Sequence, residues 1–323
     1  MTSPNGNTFT AKVVGSANAP FRFADTEVQQ VLEAMNRLGQ MRLKPDDVAQ
    51  GMVLPQETVT APQLERLNNP KVRIGDGIFI LSVQEANRIA KTETEKELIK
   101  PFYTTEQLGR YYGEKKTGRR VLYTTRAVEN SSGCASIKRH LDRFQSIITS
   151  SNKPYGLHRP RDPYYFEGTK LIALRKTDVP RFTYVDFPCY VTQTFNVIKP
   201  RLTTYDLRFL AGVLNSRVSH FWFLKAGKVQ GDQLQVDIEP ICRIPLPSLN
   251  MSKSGDRTLH DKMVALVNRM LALHKNLAIA KVEGQKTIVQ RQISHTDAEI
   301  DRLVYGLYGL TKDEIAIVEN AST

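Results

Sequence analysis

Residues 171–198 read LIALRKTDVPRFTYVDFPCYVTQTFNVI, and their reading sets the fold class. Three runs within it, 171–174, 182–185 and 190–198, are rich in β-branched and aromatic side chains and are parted by Pro and Asp. Such side chains suit a pleated, half-buried surface, and the punctuation lets the chain reverse between runs. The stretch predicts strands. Upstream, 77–81 and 120–124 have the same character, while helices are predicted at 94–98, 137–150 and, downstream, 204–215. In the 137–150 helix, Ile137, Leu141, Phe144 and Ile148 share one face, with Lys138, Arg139 and Arg143 off it. That is the pattern of a helix with one buried stripe.

Further out, both flanks turn helical. Val28, Val31, Leu32, Met35 and Leu38 recur at helical spacing after Asp25-Thr26-Glu27, and Gly39 closes the run. Towards the C-terminus, Leu259, Met263, Leu266, Met270, Leu273 and Leu277 alternate steps of four and three, a heptad seam. A second helix is predicted at 296–308, joined to the first by the polar stretch 282–290, and Thr311 to Glu314 forms a capping box before a last apolar run. The expected architecture is α+β. A helical lead and connector (1–66) precedes a β-rich domain (67–250) and a C-terminal helical, coiled-coil-like region (251–323).

Composition narrows the class. The 323 residues are 41% apolar, enough to bury a core. No run approaches the roughly 20 apolar residues of a membrane span, and residues 1–9 lack a signal-peptide pattern, so a cytoplasmic protein without membrane association is expected. Cys134, Cys189 and Cys242 are widely spaced and the six histidines are scattered, which predicts neither disulfide framework nor metal site. Net charge is +12. Between Arg110 and Arg175, fourteen Lys and Arg face five Asp and Glu, interleaved with Tyr123, Tyr155, Tyr164 and Tyr165. A concentrated basic surface beside aromatics points to a polyanion such as nucleic acid.

Catalytic signatures are weak by comparison. Gly75-Asp76-Gly77 is a lone turn-like GxG, and Asp162-Pro163-Tyr164-Tyr165 lacks the second proline of an amino-methyltransferase tetrapeptide. Glu167-Gly168-Thr169-Lys170 holds nuclease-like residue types one position out of step, which in a strand places the lysine on the wrong face. No cofactor and no catalytic residue are expected in this chain.

Several segments in order resemble the TaqI-like C-terminal specificity domain of type II restriction–modification enzymes. They include Val48 to Met52, Gly77 to Leu81, Glu97-Leu98-Ile99-Lys100-Pro101-Phe102-Tyr103, Gln107 to Tyr111, and His140-Leu141 with Phe144. Leu157 to Arg161 leads to Phe166 through Ile172, and Leu210 through Arg217, Ile241 through Pro247 and Val304 through Thr311 complete the series, over about residues 48–318. The resemblance implies a domain that grips duplex DNA and reads a short sequence for a methyltransferase or endonuclease subunit. The catalytic halves usually fused upstream are missing. The opening Met-Thr-Ser-Pro favours a separate specificity subunit; the alternatives are a C-terminal fragment of a fused methyltransferase/endonuclease and a standalone DNA-binding regulator.

Phosphate contacts supply affinity, while bidentate side chains at base edges supply specificity. Three segments carry suitable residues: Lys115, Lys116, Arg119 and Arg120; then Lys153, Tyr155, His158, Arg159 and Arg161 in a proline-stiffened loop; then Lys225, Lys228, Gln230, Gln233 and Gln235. Lys138, Arg139 and Arg143 are the expected phosphate clamp. The heptad residues Leu259, Met263, Leu266, Met270, Leu273 and Leu277 are the expected docking surface for the partner subunit.

Overall fold

A computed structural model describes residues 11–14, 22–201 and 205–321, with side chains from residue 26 onward. Residues 1–9 and Thr204, the first position of one expected helix, lie outside the described residues. The chain opens with β1 (Ala11–Val14), β2 (Arg22–Asp25) and α1 (Thr26–Leu38), then β3 (Val48–Gln50), α2 (Ala61–Leu67), β4 (Ile80–Ser82), α3 (Val83–Ile89), α4 (Glu93–Glu97) and β5 (Ile99–Pro101). The middle holds β6 (Tyr111–Tyr112), β7 (Arg119–Leu122), α5 (Ala135–Asp142), β8 (Lys170–Leu174), β9 (Lys176–Thr177), β10 (Phe182–Val185) and β11 (Phe195–Ile198). Then come α6 (Leu207–Leu214), α7 (Arg217–Lys225), β12 (Val229–Gln230), β13 (Gln233–Gln235), α8 (Ile238–Arg243), α9 (Ser254–Ile279), α10 (Glu283–Leu307) and α11 (Lys312–Ala321). The fold class is α+β, as the sequence predicts.

Two compact units share these elements, each discontinuous in sequence. The strand-rich unit comprises 46–175 and 183–199; the helical unit comprises the described residues of 1–45, 176–182 and 200–323.

In the strand-rich unit, one sheet has the order β3-β11-β8-β10-β6, with β11 antiparallel to both β3 and β8 and β10 parallel to β6. Every residue of β8 and β11 is buried, so both strands read as continuous apolar runs rather than alternating ones. The exceptions are Asn196 in β11 and Lys170 in β8, the lysine Nζ donating to the carbonyls of Gly168 and Phe187 at 2.7 Å each. A second sheet has the order β4-β7-β5, antiparallel throughout. The strand expected at 77–81 starts only at Ile80, because the N–H groups of Ile78, Phe79 and Ile80 all converge on the Glu57 carbonyl. The strand expected at 190–198 is likewise shortened to β11, since Phe195 N–H turns back to Thr192 O at 3.0 Å.

The 137–150 helix is helical only to Asp142, although Phe144, Ile147 and Ile148 stay buried through the following turns. Its start is fixed by Glu95, which is 1% exposed. That carboxylate accepts from Lys91 N and Thr92 N at the head of α4, and from Ser136 N and Ile137 N at the head of α5, at 2.6–3.2 Å. Burial raises its pKa, but the four N–H donors outweigh it and leave the carboxyl below its ordinary value.

In the helical unit, α9 and α10 form a hairpin. The polar stretch 282–290 is itself helical from Glu283 onward, so the connection is only residues 280–282. It has no proline, and Glu283 pairs with Lys286 one turn on at 3.2 Å. Met263, Leu266, Met270 and Leu273 are buried, as are Ile293, Ile300, Leu303 and Val304 of α10. The buried Asp301 carboxylate accepts from Arg217 N at 2.8 Å, at the first residue of α7, and pairs with the Arg217 guanidinium at 3.4 Å. The Asn215 side chain binds both the N–H and the C=O of Phe182, at 2.9 and 2.8 Å. A short antiparallel sheet, β12-β13-β9, completes this unit. Among the described residues, no helix is long and apolar enough to cross a membrane.

Candidate nucleic-acid interface

In the strand-rich unit, β3 is an edge strand, and the chain beyond it stays extended. Gly51 N–H donates to Phe195 O, Met52 N–H donates to Val191 O, and Val53 exchanges two hydrogen bonds with Arg159, 3.0 Å from Val53 N to Arg159 O and 3.1 Å from Arg159 N to Val53 O. Loop 153–161 is thereby stitched onto the sheet edge. Gly51 makes this possible: a Cβ there would stand 2.2 Å from Thr192 O and 2.6 Å from Val191 O, both backbone atoms. Only glycine allows so close an approach.

Other bonds hold the loop from behind. Leu157 N–H reaches Thr124 O at 3.0 Å, and Thr124 Oγ1 donates to Tyr155 O at 2.6 Å. Asn152 Nδ2 donates to the carbonyls of Leu157 and His158, while Ser151 N–H donates to His158 Nδ1 at 3.2 Å. Tyr155 Oη donates to Asp142, and Tyr123 Oη to Arg161 O at 2.5 Å. Tyr123 is wedged edge-on against Phe166 and Tyr190, and burial pushes its phenol up to about 12. Arg161 has φ +68° and turns its guanidinium onto the sheet edge, with Nη2 3.0 Å from Gln50 Oε1. Arg159 and Lys153 remain exposed.

The other basic candidates divide in the same way. Arg120 donates to the carbonyls of Thr117 and Arg119, Arg119 lies 3.7 Å from Glu106, and Lys138 donates to Glu129 O. Arg143 pairs with Asp76 at 3.6 Å and lies over the Phe144 ring. Lys115, Lys116, Arg139, Lys153 and Arg159 have, among the described residues, no side-chain hydrogen bond or ion pair. The strong formal charge of 110–175 thus divides into cations held by the chain and the five exposed, unpaired ones just named. Lys170 belongs to the interior, where burial brings the ammonium down to about 8, while the half-buried Glu167 accepts from Tyr190 Oη at 2.8 Å.

The helical unit holds the third segment. Lys225, Lys228, Gln230 and Gln233 are exposed on or beside the β12–β13 hairpin, but Gln235 is 5% exposed and pairs with Lys176 of β9. The face that 233 and 235 share is therefore covered at one end. Of the heptad residues, Met263, Leu266, Met270 and Leu273 are engaged inside this unit, Leu277 is half-buried, and Leu259 is 37% exposed. Three further exposed apolar side chains lie at or near the turn between α9 and α10: Ile279, Val282 and Ile288, at 68%, 59% and 58%. Sequence reasoning picked out Gln50 and Gly51 only within the resembling segment Val48 to Met52, and Tyr123 only as an aromatic among the cations, and linked neither these nor Val53 to the loop.

Residues 123–246 match the family described as the TaqI-like C-terminal specificity domain. This is narrower than the resemblance read over 48–318, but it contains loop 153–161 and the β12–β13 hairpin. A stretch of 93 residues is 25% identical to the type II methyltransferase M.HindII of Haemophilus influenzae, covering 28% of this chain and 18% of that protein. The fold is similar to that of the type IIL restriction-modification enzyme MmeI, solved in complex with DNA. The TM-score is 0.52 at 12% identity, over 85% of this chain and 35% of that one. The type IIG restriction endonuclease BpuSI is also similar, at TM-score 0.43 and 13% identity, over 88% of this chain and 33% of that one. The chain thus spans about a third or less of the length of each of these relatives.

Proposed function

We propose that this chain recognises a short sequence in duplex DNA on behalf of a restriction–modification system. The observation that carries the reading is the stitched loop 153–161, which lies within the matched specificity domain and presents an exposed arginine from a fixed backbone. Methylation or cleavage belongs to a methyltransferase or endonuclease body, with this chain acting as its specificity subunit and contributing no catalytic residue or cofactor. Lys115, Lys116, Arg139 and Lys153 supply phosphate contacts, with Lys138 and Arg143 bracing the surface. Partner contact falls on Leu259, Leu277 and the exposed residues at the α9–α10 turn, because the rest of the heptad seam is engaged within the chain.

Selection from a pool of randomised duplexes at two salt concentrations tests this. The expected outcome is enrichment of one short motif by the full chain. A Lys115→Ala/Lys116→Ala variant should bind all duplexes more weakly and lower the salt slope by about two. Failure of the wild-type chain to enrich any motif would sink the reading.

A further inference from the structure

We infer that Arg159 reads a guanine through its two major-groove acceptors, and that Arg161, two residues on, is a positioning residue that stays on the protein. This deepens the DNA-recognition reading above and rests on it. The two arginines are indistinguishable in sequence, since both sit in the same proline-flanked run. In an extended segment, residues two apart share a face. Here the left-handed backbone at Arg161, φ +68°, breaks that alternation. A side-chain-bearing residue holds this conformation only where its surroundings fix it. They do so at three points: Tyr123 Oη on its carbonyl, Gln50 Oε1 on Nη2 at 3.0 Å, and Gly51 O near Nε at 3.5 Å.

Arg159 is held in the opposite sense. Its backbone N–H and C=O are both bonded to Val53, whereas its side chain is exposed and, among the described residues, makes no hydrogen bond or ion pair. No carboxylate pairs with either guanidinium among the described residues, although the two cations repel each other. Arg161 titrates below the ordinary arginine value, first because it is partly buried and then because Arg159 stands close. A fixed backbone, an unengaged planar fork and an unbalanced positive charge match a ligand edge with two acceptors. Guanine offers O6 and N7 in that arrangement, and the stitched loop lowers the entropy lost when the fork docks.

The test compares full-length wild type with Arg159→Ala, Arg161→Ala, Gln50→Ala and the Arg161→Ala/Gln50→Ala double variant in selection from randomised duplexes, each checked by thermal melting. Arg159→Ala should flatten one guanine position by roughly 10- to 100-fold, leaving the other positions of the motif and the salt slope unchanged. Arg161→Ala and Gln50→Ala should each partly flatten that same position, and the double variant should do no more than either alone. Gln50→Ala also carries the test should Arg161→Ala fail to fold. An unchanged motif in Arg159→Ala would overturn the inference. So would uniform weakening on all sequences with the salt slope lowered by about one, which marks a phosphate contact. Absence of any motif with the wild-type chain would instead overturn the recognition reading, and this inference with it.

Discussion

The loop 153–161 and the hairpin formed by β12 and β13 display similar side chains on very different supports. The loop is bound along its length to a sheet edge and to buried tyrosine and threonine hydroxyls. The hairpin is a two-residue ladder, Val229 facing Leu234 and Gln230 facing Gln233, with Val229, Gln230 and Gln233 exposed. Their glycines express the contrast. Gly51, beneath the loop, is required by lack of space, whereas Gly231 at the hairpin turn has φ +59° and nothing within 4 Å of a Cβ. A side chain's chemistry says what it is able to recognise, but the backbone behind it decides how selectively it does so.

Gly51→Ala should have the largest effect on this contrast. Its Cβ would drive into two backbone carbonyls, with a stability loss of about 4 kcal/mol in urea denaturation. A loss below about 1 kcal/mol would show that the sheet edge yields, and that the loop is less rigidly framed than the geometry implies. Next comes Lys170, under the same framework. Its folded pKa of about 8 lies below the free value of 10.5, so the folded chain releases this proton first. Its contribution to stability therefore increases as pH rises from about 8 to 10.5, by up to about 3 kcal/mol. Cys189, pushed up to about 12 by burial, bends the curve the other way above 9. Subtracting the profile of a Lys170→Met variant isolates the lysine, and a flat difference would mean that Nζ is solvated in the folded chain. The smallest effect belongs to Gly231→Ala, at about 1 kcal/mol from backbone conformation alone. Hydrogen exchange should quicken at the Gln235 N–H, which is bonded to Lys228 O, and stay unchanged at the Arg159 N–H. Quickening at both would erase the distinction between the two supports.

Much of the secondary structure was legible because it follows local pattern. The strand at 182–185 was read to the residue, and α1, α4, β7, β8 and α6 to within a few residues, since their apolar spacing and turn residues agree with tertiary demand. The start of α10 was not legible, because a helix that is polar all round gives no periodic signal. α7 was missed for the opposite reason: Val218, Phe221, Trp222 and Phe223 are buried around much of its circumference, so no polar face marks it. The candidate interface was half legible. Charge and proline content singled out loop 153–161, but nothing local distinguishes Arg159 from Arg161. That difference depends on Gln50 and Gly51, more than a hundred residues earlier.

In the helical unit α1 packs against α11, and this pairing has a consequence for biosynthesis. The buried side of α1, with Val31, Ala34 and Met35, belongs to the same unit as α11, the helix it packs against, and Leu38 comes within contact distance of Gly309. About 270 residues separate the end of the first helix from the start of the last. At ribosomal speeds of roughly 5–20 residues per second, the first helix waits on the order of 15–55 s for its partner to be made. All of the strand-rich unit is translated within that interval and has its complete sequence first. The helical unit must hold an unfinished apolar face open to solvent or chaperone until the last helix arrives, and a nascent chain stalled near residue 300 would leave it so.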